Sequence, residues 1–285
     1  MSYFILCVDV ALMVLIWPVN RWVMKNGGRT RSIGLSITFA GTICAAAGAV
    51  LSGQPLFSSV GLTFGFITAA AYDFGFCMII FYCLKIGPSG ATATINNFGF
   101  MFPVIIGIIA FSDGKSPSLF AVLGIVSVVV SLILMAFNKT AGDTKAASAK
   151  WFKWMLLGAL LSGISLGSQF IATQLTPDNP YTFAFSCNLL AFLILVAVTL
   201  IMKDSRPRKA EMIAGSITGS INVISTAMLF YLLQNIPGFV VYPVIMSAPV
   251  IIMLVVGHYI YKEKMNRFGW AACIIGVLGL VLFNI

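Results

Sequence analysis

Three side chains place ionisable groups inside otherwise apolar runs: Asp73, Asp9 and His258. Such a group is expensive in hydrocarbon, so it faces a cavity, a water path or a partner. Asp73 follows Tyr72 near the middle of its run. A carboxyl at that depth can take up a proton reversibly or meet a cationic solute, or it can tie two helices together by a hydrogen bond. Asp9 opens a stripe with Met13, Ile16 and Asn20, whose spacing puts all four on one helical face, with Trp17 beside it. Either this face lines a path on which Asp9 binds a cation or proton, or Asp9 hydrates among the outer headgroups. His258 titrates near neutral pH and could relay protons. It also lies four residues before Lys262, where an interfacial histidine is commonplace.

Amides and aromatic rings extend the set. Phe81-Tyr82-x-Leu84-x-x-x-Pro88 recurs as Phe230-Tyr231-x-Leu233-x-x-x-Pro237. The shift from 81 to 230 also brings Asn20 onto Gln169 and Asp73 onto Asn222. Asn222 shares a polar stripe with Thr218 and Ser225. Asn96 lies on a face with Thr92, Gly99 and Pro103, and Asn97 adjoins it. Asn188 shares a face with Tyr181, Phe185 and Phe192, and Tyr242 precedes Pro243. The candidates for lining a cavity are therefore Asp73, Asn222, Asn20, Trp17, Tyr72, Asn96, Asn97, Gln169, Asn188 and Tyr242. The coupling-ion candidates are Asp73, Asp9 and His258.

The elements that position these residues follow from composition. Of 285 residues 60% are hydrophobic and 9% charged, with mean hydropathy +1.02, too few charges to cover a soluble domain. Ten apolar runs occur, at 3–25, 32–52, 58–84, 89–112, 118–138, 153–175, 181–202, 211–234, 239–261 and 266–284. Each is long enough to cross about 30 Å of hydrocarbon as a helix. Open backbone groups are forbidden there, and the runs are too uniformly apolar for barrel strands. The first run starts at Tyr3 with no basic stretch before it, so it reads as a span and not a cleaved leader. The expected fold is an all-α integral membrane protein of ten transmembrane helices.

Charge sets the orientation. The net charge is +9, but every Lys and Arg except Lys115 lies in the loops after spans 1, 3, 5, 7 and 9 or beside them. By the positive-inside rule those loops are cytoplasmic and meet anionic lipid, which explains the basic balance without nucleic acid. Five spans per half forces the second half to enter the membrane upside down. The charges agree: loop 1–2 is basic and its counterpart 6–7 is not, while loop 2–3 is neutral and its counterpart 7–8 is basic. The expected organisation is two inverted five-helix repeats, 1–138 and 153–285, around a small, polar linker at 139–152. Gly61-x-x-x-Gly65, Gly163-x-x-x-Gly167 and Gly215-x-x-x-Gly219 have helix-packing spacing, and Pro103, Pro243 and Pro249 are expected to bend spans 4 and 9. All six cysteines lie in spans without a C-x-x-C pair and read as buried, inert thiols.

Several chemistries are excluded. Gly114-Lys115 lacks the earlier glycine of a phosphate-binding loop. One histidine and eight scattered acids cannot make a H-E-x-x-H zinc site or a triad at depth, and no arginine ladder marks a voltage sensor. No cofactor and no enzymatic activity are expected.

The ten short spans and the 5+5 duplication resemble the drug/metabolite transporter superfamily, in its EamA-type branch. Trp17-Pro18-Val19-Asn20 followed by Lys25 is similar to the tryptophan-glycine-x-asparagine pattern of that family's first helix, with Pro18 in place of glycine. Pro249, Glu263, Gly269, Gly276 and Gly279 are similar to its late proline, loop glutamate and glycine-rich last helix. The resemblance implies a transporter of small organic molecules with a cavity between halves. The two repeats are expected to work by alternating access, with Asp73 or Asp9 carrying a coupling proton or meeting a cationic substrate. A passive channel of the same fold is the alternative. The expected location is a cytoplasmic (inner) membrane of prokaryotic type, with the lipid bilayer and a small-molecule substrate as partners.

Overall fold

The computed structural model describes residues 1–25, 27–72, 75, 79, 83, 96, 98–110, 118–136, 149–203, 207–259 and 267–282. Among them are ten α-helices: α1 (Ser2–Lys25), α2 (Thr30–Leu51), α3 (Ser59–Tyr72), α4 (Met101–Ala110), α5 (Leu119–Ala136), α6 (Ala149–Leu175), α7 (Pro180–Ile201), α8 (Lys209–Asn235), α9 (Gly238–Tyr259) and α10 (Arg267–Leu282). A 3-10 turn at Phe98–Phe100 leads into α4. The helices fall on the ten apolar runs, and α6 already begins at Ala149. By length and composition five can cross a membrane among the described residues: Ser2–Asn20, Thr30–Leu51, Lys150–Leu175, Pro180–Ile201 and Lys209–Asn235.

The first half of α8 is apolar outside and small or polar inside. On α8, Met212, Ile213, Ile217 and Ile224 are exposed, while Glu211, Ala214, Gly215, Thr218, Gly219 and Ser225 are buried. That reverses a soluble helix and suits lipid, where isoleucine gains nothing by leaving the surface and small residues let backbones meet. All three glycine pairs do this. Gly61 and Gly65 pack on Ser186 of α7, Gly163 and Gly167 on Phe102 of α4, and Gly215 and Gly219 on Ser36 and Ile37 of α2. Gly41 of α2 is a three-way junction, closed over by Asn188 of α7 and by Gly219 of α8.

The packing order is α3–α7–α2–α8–α1, with α6 behind α3, α9 behind α1, and α5 paired with α10. The apolar core lies between α4, α6, α8 and α9, around Phe100, Phe170, Leu232, Val241 and Tyr242. Pro103 falls in the first turn of α4, where its missing N–H costs nothing, while α9 runs on through Pro243 and Pro249. The thiols differ from expectation. Of the described free cysteines Cys83 alone is buried, and Cys7 is exposed on the face of α1 that carries Tyr3 and Phe4. A small, weakly polar thiol is tolerated on a lipid-facing surface.

A Cβ at Gly219 would meet the backbone of Ile37 and lie 3.0 Å from the Gly41 nitrogen, and backbone cannot yield as a side chain can. Gly219→Val is therefore expected to cost about 1–3 kcal/mol, the usual range for overpacking. Thermal unfolding in detergent should show a lower midpoint for the variant; an unchanged midpoint would contradict the contact.

Candidate functional site

The two polar stripes read separately in the sequence face each other. Helices α1 and α8 pack side by side. Their ends show that they run in opposite directions, since Arg29, just past α1, reaches Glu211 in the first turn of α8. Between them the Thr218 hydroxyl donates to the Asn20 side-chain oxygen at 3.3 Å. Ser225 of α8 is the polar group beside Asp9. Asp9 is fully buried, and neither carboxylate oxygen has a hydrogen bond of ordinary geometry. Asn222 lies between Thr218 and Ser225 on α8, partly exposed, with its carbonyl accepting from the Thr226 hydroxyl at 2.9 Å.

The seam ends in an ion pair that sequence reasoning missed. Glu211 is 1% exposed, and its carboxylate accepts from the Arg29 N–H at 2.8 Å, from Arg29 Nε at 3.2 Å and Nη2 at 3.0 Å, and from the Arg208 N–H at 2.7 Å. One carboxylate thus satisfies the start of α8 and the turn before α2, and places negative charge at a helix N-terminus. The available signal was an acid three residues after Arg208, at the end of a loop rich in Lys and Arg.

Helices α3 and α6 form a second polar seam. Thr68 and Ser168 share a hydrogen bond of 2.5 Å, and the Ser165 hydroxyl donates to the Thr68 carbonyl at 3.4 Å. All three residues are buried hydroxyls that sequence reasoning passed over. Nearby, Ser162 donates to the Asn96 side-chain oxygen at 2.6 Å. Gln169 follows Ser168 on α6 and is partly exposed. Tyr72 ends α3 and is also partly exposed.

Other candidates fall elsewhere. Asn188 packs over Gly41 and donates to its own helix at the Ala184 carbonyl, 2.8 Å away. Tyr242 is fully buried against Phe170 of α6, ring centroids 5.8 Å apart and edge to face, with its hydroxyl unpartnered. Asp73 and Asn97 lie outside the described residues, as do the side chains of Trp17 and His258. The described candidates therefore spread over neighbouring seams and do not gather at one point.

At the opposite end from Arg29 and Glu211, the Gln54 side-chain oxygen accepts from the Tyr181 N–H at 3.1 Å, and the Thr182 hydroxyl donates to the Pro55 carbonyl. Gln234 at the end of α8 donates to the Pro177 carbonyl at 2.9 Å. Both ends of the bundle are thus tied, one by charge and one by neutral hydrogen bonds.

Residues 153–285 match the EamA-like transporter family. The match covers a little under half of the chain. By its description that family is one of transporters. A solved structure described only as "Crystal structure of protein" aligns with a TM-score of 0.75 at 15% identity, covering 99% of this chain and 94% of that one. The fold is therefore a known one over nearly the whole chain. No curated protein matches the sequence.

Glu211→Ala is expected to remove the acceptor that two backbone N–H groups and the Arg29 guanidinium share. The cost should be roughly 1–3 kcal/mol, and Glu211→Gln, which keeps an acceptor, should lose less. Thermal unfolding of both variants in detergent checks the order; equal losses would mean that the hydrogen bonds are not what matters.

Proposed function

We propose that this chain is a secondary transporter that moves a small polar or amphipathic organic molecule by alternating access. Its two inverted five-helix halves, 1–138 and 153–285, would rock about a linker within 139–152. The observation that carries this reading is the α1–α8 seam, where Asp9, Asn20, Thr218, Asn222 and Ser225 sit at membrane depth between two tightly packed helices. Half-buried amides in a bundle are stable where they meet water or a polar solute, and costly against lipid. Asn20, Asn222 and Gln169 are all partly exposed, which supports a solvated path beside both polar seams.

Pairings between the halves support the inversion. Exchanging each helix with its counterpart five places along turns α1–α8 into α6–α3, α2–α8 into α7–α3 and α1–α9 into α6–α4, and leaves α2–α7, α4–α9 and α5–α10 unchanged; all these contacts occur. The same exchange turns the Arg29 and Glu211 end into the end held by Tyr181, Thr182 and Gln54. Helix α1 finishes at the first of these ends and α6 at the other, so counterparts run oppositely. By charge, the Arg29 end faces the cytoplasm. Hydrogen bonds that hold both ends favour a carrier over an open pore of the same fold.

A thermal-shift screen of amino acids, nucleosides, sugars and quaternary amines should find a ligand, since binding to the folded state raises apparent stability. Proteoliposomes should then show counterflow of that ligand with saturation. Flux without trans-stimulation would establish a channel instead. Asn222→Leu should lower counterflow about tenfold, the effect of one lost hydrogen bond of about 1.4 kcal/mol, while leaving the unfolding midpoint nearly unchanged.

A further inference from the structure

Asp9 is the one fully buried carboxyl among the described residues with no hydrogen bond of ordinary geometry to either oxygen. The helices packed against α1 are chiefly α8 and α9. On α8 the group beside Asp9 is the Ser225 hydroxyl. The charged residues of α8, Lys209 and Glu211, are 14 or more residues before Ser225, a separation of about 21 Å along the helix. Tyr231 of α8 is exposed on its outer face. On α9 the titratable groups are the buried Tyr242 near its start, and His258 and Tyr259 at its far end. On α1 itself, Arg21 and Lys25 lie at the opposite end, and Met1 and Tyr3 are exposed.

Among the described side chains of these helices no cation lies beside the carboxyl, and Asp9 is fully buried. A bare carboxylate in that position would cost several kcal/mol. The position calls for a bound positive charge small enough to need only one or two oxygens. A metal cation would need more: oxygen-binding cations such as Ca²⁺ take six to eight oxygen ligands, and the carboxyl with one serine hydroxyl cannot supply them. A proton needs a single carboxyl oxygen.

We infer that Asp9 is a proton-binding site on the α1–α8 seam, occupied while the seam is closed and exchanged with water when it opens. Water on the open side delivers the proton to one carboxylate oxygen; the same O–H bond breaks on release, and no other group is consumed. The neutral carboxyl then has Ser225 as its polar neighbour. This rests on the transporter reading for its place in a cycle, but its first test does not need a substrate.

Infrared difference spectroscopy on the chain in lipid reads the protonated carboxyl directly. The wild type should show a protonated-carboxyl C=O band at neutral pH that disappears reversibly at alkaline pH. Asp9→Asn should lose that band entirely. Ser225→Ala should keep the band at a shifted frequency, which guards against a misfolded Asp9→Asn. A wild type without the band at neutral pH, or an Asp9→Asn variant that retains it, overturns the inference. Counterflow at equal pH on both sides tests the carrier reading separately: a chain that keeps the Asp9 band but shows no counterflow refutes the carrier and leaves the proton site standing. In a working carrier, Asp9→Asn should retain counterflow and lose accumulation driven by a pH gradient; accumulation that persists would overturn the coupling.

Discussion

Hydrocarbon offers no hydrogen bonds, so every polar group at membrane depth in this chain must find its partner inside the bundle. That constraint explains where the helices meet. Hydroxyls donate to carbonyls of their own helix, as Ser36 does to Ser32 and Thr42 to Thr38. Where a polar side chain has no partner on its own helix, it crosses a seam: Thr218 to Asn20, Ser162 to Asn96, Ser131 to the Ala272 carbonyl. Glycines bring the backbones close enough for this, and α8 on α2 is the tightest case.

The same constraint makes the exceptions informative. Asp9, Tyr242 and Ser247 are buried with side-chain oxygens that make no hydrogen bond of ordinary geometry, and Asp9 has the Ser225 hydroxyl beside it. A bundle this economical with polar groups does not leave a carboxyl bare for packing alone. The ends of the bundle differ for a related reason. The Glu211 carboxylate gathers four donors in a loop rich in arginine and lysine, whereas the other end is held by amide, hydroxyl and carbonyl groups in loops with no basic residue.

The fold was largely legible because hydropathy and helix length are local quantities. Among the described residues every one of the ten runs holds a helix, and the three glycine pairs all became helix contacts. The polar stripes of α1 and α8 were each visible as helical periodicity. That they face each other was not visible, because a partner 198 residues away leaves no local trace. Glu211 was missed for the same reason, since its role depends on Arg29, 182 residues earlier. Asn188 and Tyr242 looked like members of one cavity because a sequence shows the face a residue occupies, not which neighbour covers it. The place of Asp73, the mate of Asn222 in the repeat, lies outside the described residues.

The central claim is that the two ends of the seam open in turn. It is tested most directly by spin-label distances in lipid, with native cysteines replaced. One pair, Gly27→Cys with Pro207→Cys, spans the end held by Arg29 and Glu211. The other, Gly53→Cys with Asp178→Cys, spans the end held by Gln54 and Tyr181. The account predicts two distances at each end, with populations that shift in opposite directions as pH is changed. A single distance at both ends, the same at every pH, would contradict it.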